Sequence, residues 1–127
     1  MRITLLLALV LVVFSCNSKP LQNQIVGKWE MKIVMDGTAN MTDQHNPNKD
    51  RWIEFKADGT FESGGTPYGS NTGKFEIDEE NRILNIYSDT ENDDSDWAIN
   101  IDEDFMTWQG RGSLREMEFK LTHQRIK

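Results

Sequence analysis

Hydrophobic and polar residues alternate along most of the chain from Ile25 onward. In the segment GKWEMKIVM, for example, Trp29, Met31 and Ile33 share one face, and charged residues occupy the opposite face. Because successive side chains of a β-strand point to opposite sides, this period of two predicts strands that are buried on one side only. Eight segments show the pattern: GKWEMKIVM, RWIEFK, TFES, GKFEID, RILNIYS, DWAINI, FMTW and LREMEFKLTH.

The connections between these segments predict how the strands are arranged. Most are short and rich in turn residues, such as the Asp58-Gly59 pair, which is typical of a tight hairpin. Short connections favour an antiparallel up-and-down order, and closure of that sheet would remove its unpaired edge strands. We therefore predict an all-β fold, an eight-stranded antiparallel up-and-down barrel. Two connections are longer: 36–50 is a candidate lid or binding loop, and the glycine-rich 64–73 is a candidate flexible loop at the rim.

The predicted barrel interior is lined mainly by large apolar side chains. A barrel of eight strands is just wide enough to be filled by side chains or to hold one small ligand, so both alternatives stay open. In the second alternative the pocket would lie near the open end, under the loop 36–50. Its expected wall residues are Phe55, Phe61, Trp97, Trp108 and Phe119. The full set of predicted interior residues is Trp29, Met31, Ile33, Ile53, Phe55, Phe61, Phe75, Ile77, Leu84, Ile86, Trp97, Ile99, Met106, Trp108, Met117 and Phe119.

The beginning of the chain has the features of a secretory signal. Arg2 is followed by twelve uncharged residues, ITLLLALVLVVF, a run typical of the apolar centre of a signal peptide and too short to span a bilayer, which takes ~20 apolar residues. The single cysteine, Cys16, follows Ser15 directly, and this arrangement resembles the bacterial lipoprotein box. The resemblance implies that Cys16 carries a diacylglyceryl thioether and becomes the first residue of the mature chain. The alternative is a cysteine that follows an ordinary signal peptide by chance.

The lipoprotein box also implies a division of the chain and a location. Residues 1–15 would be the signal peptide, 16–24 a polar lipidated tether, and 25–127 the barrel. No acidic cluster follows Cys16, and Asn17 is not the aspartate that favours retention in the inner membrane. We therefore expect a lipid-anchored protein of the bacterial cell envelope, at the outer membrane and facing the periplasm.

The charge of the chain limits its partners. It has 14 Lys and Arg against 21 Asp and Glu, a net charge of −7, and removal of Arg2 with the signal peptide would make this −8. A protein this acidic is not expected to bind nucleic acid or anionic lipid surfaces. Contact with the lipid bilayer is therefore expected from acylated Cys16, and because the chain has one cysteine it has no intrachain disulfide.

A run of acidic residues near the middle of the chain raises the question of metal binding. The stretch from Asp89 to Asp104 contains eight acidic residues and no basic residue, and calcium prefers such oxygen ligands. The loop 89–96 contains no glycine, so it lacks the EF-hand pattern. We therefore predict a solvated loop and no dedicated metal site. Weak calcium binding at millimolar concentrations stays open as the alternative.

Little in the sequence indicates catalysis. The two histidines, His45 and His123, lie far apart in the chain, and Cys16 would be blocked by lipid. The common nucleophile, zinc-protease and phosphate-binding motifs do not occur. We therefore expect a protein that is not an enzyme and that uses no cofactor.

Short motifs connect the chain to a known family. IVGKWE at the start of the first strand resembles the Gly-x-Trp signature of lipocalin-like barrels, with Gly27 and Trp29 at the matching positions. The hairpin from Phe55 to Phe61 and the strand GKFEID resemble small bacterial lipocalin-like lipoproteins, and the likeness covers roughly residues 25–125. The resemblance implies that Trp29 closes one end of an eight-stranded barrel. It also implies that a basic residue near the C-terminus, here Arg125, packs across that tryptophan.

These observations lead to two hypotheses about function. The first is a membrane-anchored, lipocalin-like lipoprotein, a monomer that binds or carries a small apolar ligand, which requires a continuous cavity of more than ~300 Å³. The second is a solid barrel that acts through its rim loops on a protein or envelope partner. Exposed aromatic residues on one contiguous patch, such as Trp52, Tyr68 and Tyr87, would favour the second hypothesis.

Overall fold

Nine β-strands form one antiparallel sheet in this computed structural model, which describes residues 19–127. The strands are β1 (Gly27–Asp36), β2 (Ala39–Asn40), β3 (Trp52–Phe55), β4 (Thr60–Gly64), β5 (Asn71–Asp78), β6 (Ile83–Ser88), β7 (Ser95–Asp102), β8 (Phe105–Gln109) and β9 (Phe119–Arg125). Two short helices, α1 (Leu21–Gln24) and α2 (Thr42–His45), and one 3₁₀ turn (Glu116–Glu118) accompany them. Among residues 19–127, no helix is both long enough and apolar enough to cross a lipid bilayer.

The sheet closes on itself. From β3 to β9 each strand pairs with the next in the chain, and β1 pairs with both β3 and β9. The last contact runs from Trp29 opposite Arg125 to Asp36 opposite Phe119. The two residues of β2 pair only with the end of β1, at Met35 and Asp36. The closed ring therefore contains eight strands. The predicted all-β, eight-stranded antiparallel up-and-down barrel is confirmed.

The apolar face of each strand points into the barrel, as the period of two predicts. Most predicted interior residues are buried, and three are partly buried. The buried ones are Trp29, Met31, Ile53, Phe55, Phe61, Phe75, Leu84, Ile86, Ile99, Met106 and Trp108; the partly buried ones are Ile77, Trp97 and Phe119. Burial of this apolar surface is the main source of the barrel's stability, since the one cysteine of the chain allows no disulfide.

Ile33 was predicted to lie inside the barrel, and this is wrong. The pairing of β1 with β9 shifts register between Met31 and Ile33, which marks a β-bulge. An extra residue in one strand reverses the order of inward and outward side chains beyond it. Val34 is therefore buried, and Ile33 is 41% exposed.

Met117 was also predicted to be an interior strand residue, and it is 52% exposed. The segment Glu116–Glu118 forms a 3₁₀ turn, and the last strand begins at Phe119 rather than at Leu114. The hydroxyl oxygen of Ser113 accepts a hydrogen bond from the Glu116 backbone N–H at 3.1 Å and donates one to the Glu116 carboxylate at 3.2 Å. These two contacts stabilise a turn just before and within a segment whose alternation predicted a strand.

The folded region begins at α1, before residue 25, where the predicted barrel begins. Leu21–Gln24, assigned to the polar tether, form α1, and Leu21 is 3% exposed. Leu21 and Ile25 belong to the same buried apolar cluster as Trp29, so α1 packs against one end of the barrel. The long connection 36–50 is also ordered in part, because it contains β2 and α2. Cys16 and the predicted signal peptide lie outside the described residues.

Candidate functional site

One end of the barrel is closed by Trp29 and Arg125. The indole Nε1 of Trp29 donates a hydrogen bond to the Ile25 carbonyl oxygen at 2.8 Å. The Arg125 guanidinium carbon lies 4.2 Å from the centroid of the Trp29 ring. Its two terminal nitrogens donate to the carbonyl oxygens of Val26 at 2.9 Å and Gln24 at 2.7 Å. Arg125 therefore ties the chain between α1 and β1 to the last strand, across the indole.

Gly27 allows this approach. Its φ of +135° is a backbone conformation that favours glycine, and a Cβ atom there would lie 2.8 Å from Nη1 of Arg125. The structure thus brings together Gly27, Trp29 and Arg125, the three residues that the lipocalin resemblance assigned to barrel closure.

The opposite end opens into a cavity of about 650 Å³. Three connections contribute residues to its rim: His45 from the loop 36–50, residues 68–70 from the glycine-rich loop, and residues 90–93 from the acidic loop. The cavity extends inward to side chains of the barrel strands, including Ile53 and Ile86. The open end of the barrel is therefore not completely filled by its own side chains.

Aromatic side chains form much of the cavity wall. Four of the five predicted wall residues line it: Phe61, Trp97, Trp108 and Phe119. The ring centroids of Trp97 and Trp108 are 5.6 Å apart, so these two indoles form a continuous apolar surface. Phe55 is not in the lining. It lies in the packed core, with its ring centroid 4.8 Å from that of Phe75.

Two buried polar atoms stand out in this apolar surface. Among residues 19–127, Nε1 of Trp108 and Nδ1 of His123 have no hydrogen-bond partner. Both residues line the cavity, their ring centroids are 4.5 Å apart, and they are 6% and 2% exposed. A buried donor without a partner costs about 1–3 kcal/mol, so such atoms are uncommon in native interiors. Trp97, by contrast, donates from Nε1 to the hydroxyl of Ser95 at 3.1 Å.

His123 is neutral in the folded protein. Burial, and to a smaller extent the positive charge of Arg51, lowers its pKa from 6.5 to about 3. The imidazole therefore presents one N–H donor and one nitrogen acceptor at neutral pH.

Arg51 supplies the positive charge of the cavity lining. Its guanidinium donates to the His45 carbonyl oxygen at 3.0 Å and lies 4.6 Å from the centroid of the Tyr68 ring. Its backbone N–H donates to Oδ1 of Asn46 at 3.2 Å, and the buried Asn46 donates in turn to the Met31 carbonyl oxygen at 3.0 Å. These contacts hold the loop 36–50 against the first strand and fix the arginine at the cavity wall.

The guanidinium of Arg51 is also poorly solvated. Burial lowers its pKa, and the nearby Tyr68 partly offsets that effect. None of the ion pairs formed among residues 19–127 involves Arg51. The cavity therefore contains a partly buried cation whose charge no neighbouring carboxylate in this region of the chain neutralises at close range.

Arg51 and His123 were not among the site residues predicted from the sequence. Residue parity carries the signal for both, because Arg51 shares a strand face with Ile53, and His123 shares one with Leu121. Parity alone states that a side chain points inward. Parity does not show that Trp108 on β8, His123 on β9 and Arg51, which precedes β3, line the same cavity.

The acidic loop uses its carboxylates in local structure. Asp94 accepts a hydrogen bond from the Ser88 backbone N–H at 2.8 Å, Asp89 accepts one from the Thr72 hydroxyl at 2.7 Å, and Asp96 pairs with Arg111 at 2.7 Å. Within residues 19–127, no three His, Cys, Asp or Glu side chains are grouped so that they could hold a metal ion.

The aromatic residues considered for a docking patch fall in two places. Trp52 and Tyr68 both line the cavity mouth, and Arg51 packs on Tyr68. Tyr87 lies on the outer face of β6, where its hydroxyl donates to the Glu76 carboxylate at 3.4 Å. Two of the three thus belong to the cavity.

The fold has a counterpart among solved structures. A DUF4847 family protein from Bacteroides vulgatus matches this chain with a TM-score of 0.55 and 18% sequence identity, over 82% of this chain and 95% of its own length. At this identity the likeness shows a shared fold alone. No family model and no curated protein matches the sequence.

Proposed function

We propose that this protein is a lipocalin-like binding protein of the bacterial envelope, which holds a small, largely apolar molecule in its barrel without catalysing a reaction. The observation that carries the proposal is the cavity of about 650 Å³ at the open end. Ligand sites are concave, largely apolar and equipped with a few polar groups, and typical volumes are ~300–1,000 Å³. This cavity has such a volume, its wall includes Phe61, Trp97, Trp108 and Phe119, and many of its polar side chains lie on the rim loops.

The sequence of the N-terminus supports a proposal about location. We propose that Cys16 is acylated after removal of residues 1–15, and that the lipid holds the protein as a monomer on the outer membrane, facing the periplasm. The order of residues supports this, because the single cysteine directly follows the apolar run. The test is the mass of the mature protein purified from membranes, which should show a chain that begins at Cys16 and carries acyl groups.

Ligand binding can be tested with N-phenylnaphthylamine, an uncharged fluorescent probe that emits in apolar surroundings. The full chain should bind it at one site, with energy transfer from the cavity tryptophans. Ser63 lies in the cavity lining, so Ser63→Phe should fill part of the space and weaken binding at least tenfold. Thr107→Phe is the matched control, because Thr107 lies between the inward residues Met106 and Trp108 on the outer face of β8.

The outcomes separate the hypotheses clearly. Binding by the wild type and by Thr107→Phe, with loss in Ser63→Phe, supports the cavity as the site. Absence of binding by the wild type, or equal binding by both variants, contradicts the proposal, provided that circular dichroism shows both variants folded.

A further inference from the structure

We propose that the ligand of this cavity carries a single anionic head group, whose oxygens accept hydrogen bonds from Arg51 and from the indole N–H of Trp108. This inference rests on the proposed function and specifies the ligand's chemistry. A fatty acid, an aromatic carboxylic acid and a sulfonated amphiphile share this chemistry: one negative charge on an apolar body.

The first argument is the charge of Arg51. Its guanidinium is partly buried at the cavity wall, donates to one carbonyl oxygen at 3.0 Å, and has no carboxylate within ion-pair distance among residues 19–127. A guanidinium has five N–H donors in a planar fork that matches a carboxylate or sulfonate. A bound anion would use the remaining donors and neutralise a partly buried charge.

The second argument is a pair of unpartnered polar atoms that belong to two residues of the cavity lining. Trp108 Nε1–H can only donate a hydrogen bond, so its partner must be an acceptor. His123 lies beside it, with the two ring centroids 4.5 Å apart, and Nδ1 of the neutral imidazole is also without a partner among residues 19–127. Arg51, Trp108 and His123 all line the same cavity, which is the arrangement that the proposed head group requires.

The rim explains why one charge is preferred to several. Glu91 and Asp93 also line the mouth, and Asp93 accepts a hydrogen bond from Asn71 at 3.1 Å. These carboxylates repel a ligand with several negative charges, whereas a single charge can be matched by Arg51. The aromatic wall formed by Phe61, Trp97 and Phe119 is suited to the apolar body.

The test compares two probes that differ in one group. Anilinonaphthalene sulfonate has the same aromatic framework as N-phenylnaphthylamine and adds one sulfonate. The wild-type full chain should bind the sulfonate at least tenfold more tightly than the uncharged probe. In Arg51→Met the affinity for the sulfonate should fall about tenfold or more, and the affinity for the uncharged probe should change less than about threefold.

Arg111→Met is the matched control for the loss of charge. Arg111 lies outside the cavity lining in the loop between β8 and β9, where it pairs with Asp96. Arg111→Met changes the net charge by the same amount as Arg51→Met, and it should leave the affinities for both probes unchanged. Arg51→Lys keeps the charge and should recover part of the affinity for the sulfonate. Trp108→Phe keeps a ring but removes the N–H, so it should weaken the sulfonate several-fold more than the uncharged probe.

The two proposals fail differently. If neither probe binds the folded wild type, both the proposed function and this inference are wrong. If the uncharged probe binds as tightly as the sulfonate, or if Arg51→Met weakens both equally, the cavity binds ligands but the anionic head group is wrong. An effect of Arg111→Met equal to that of Arg51→Met would also contradict the inference, because it would show a response to net charge alone.

Discussion

His123 is the residue whose protonation the barrel controls most strongly. Its ring is buried beside Trp108, and its pKa falls from 6.5 to about 3, first because of burial and second because of Arg51. Below about pH 6.5 the unfolded chain therefore binds a proton at His123. The folded chain does not bind this proton until the pH falls to about 3. Stability is greatest above the unfolded pKa, and it is lost progressively as the pH falls from 6.5 toward 3.

This difference predicts a measurable pH dependence. Between about pH 7 and about pH 4.5, the free energy of unfolding of the wild type should fall by about 2–3 kcal/mol more than that of His123→Phe. Phenylalanine keeps an aromatic ring beside Trp108 and cannot be protonated. Urea unfolding at the two pH values measures the difference. Equal pH dependence in the two proteins would show that folding does not lower the pKa of His123.

Arg125 stabilises the fold at the closed end of the barrel. Its guanidinium satisfies the carbonyl oxygens of Gln24 and Val26 and covers the Trp29 ring. Arg125→Met should therefore lower the free energy of unfolding by about 2–4 kcal/mol, because two partly buried carbonyl groups lose a charged donor. Thermal unfolding compares it with Arg111→Met, whose exposed ion pair is expected to matter little. Similar losses in both variants would contradict this role.

At the scale of single elements, α1 is the part of the closed end that depends on one distant side chain. The carboxylate of Glu79 accepts hydrogen bonds from the backbone N–H groups of Leu21 at 3.0 Å and Gln22 at 2.8 Å. These are N–H groups of the first turn, which have no partner within the helix. A helix of four residues has little stability of its own, so its position depends on this contact and on burial of Leu21.

We predict that Glu79→Ala loosens α1 while the barrel stays folded. Amide hydrogen exchange at residues 21–25 should accelerate about fivefold or more, and overall stability should fall by about 1 kcal/mol. Glu80→Ala is the control, because it removes the same charge from the next residue, which is exposed. If the two variants show the same exchange, Glu79 does not hold the helix.

The elements of this barrel differ in how well the sequence predicts them. Strands with one buried face show a period of two in the sequence, so all eight barrel strands could be predicted. The bulge near Ile33 leaves no mark in the pattern, because Ile33 and Val34 are equally apolar. The segment Leu21–Gln24 is polar at three of its four positions, so its single buried residue gives no period. The alternation of LREMEFKLTH gives no sign of the turn Glu116–Glu118, where the Glu116 backbone N–H donates to the Ser113 hydroxyl.

The site was predictable only in its apolar part. Phe61, Trp97, Trp108 and Phe119 follow from strand parity, since any wide barrel exposes such residues to its interior. The polar part depends on which strands meet across the barrel. Arg51 is brought to the cavity by the hydrogen bonds of His45 and Asn46, which come from a loop without strand period. Local pattern does not determine such long-range contacts.

At the scale of the whole molecule, the two ends of the barrel have different neighbours. The described chain begins at the closed end, where α1 packs near Trp29, and the cavity opens at the other end. From Cys16 to Leu21 an extended chain reaches at most roughly 17 Å. The ten residues of β1 extend about 33 Å along the strand, or about 25 Å along the axis of a tilted barrel. A lipid on Cys16 would therefore hold the closed end near the bilayer and keep the mouth away from it.

This geometry predicts an orientation that can be measured on the acylated full chain in lipid vesicles. Cysteines introduced at exposed positions can carry a fluorescent label, because the proposed acylation would block Cys16. Glu80→Cys places the label in the turn between β5 and β6 beside α1, and Ser70→Cys places it at the cavity mouth. Lipids with a nitroxide in the head group should quench the label at Glu80→Cys several-fold more strongly than the label at Ser70→Cys. Equal quenching at the two positions would contradict this orientation. Stronger quenching at the mouth would also contradict it, and that result would favour uptake of the ligand directly from the membrane rather than from the aqueous side.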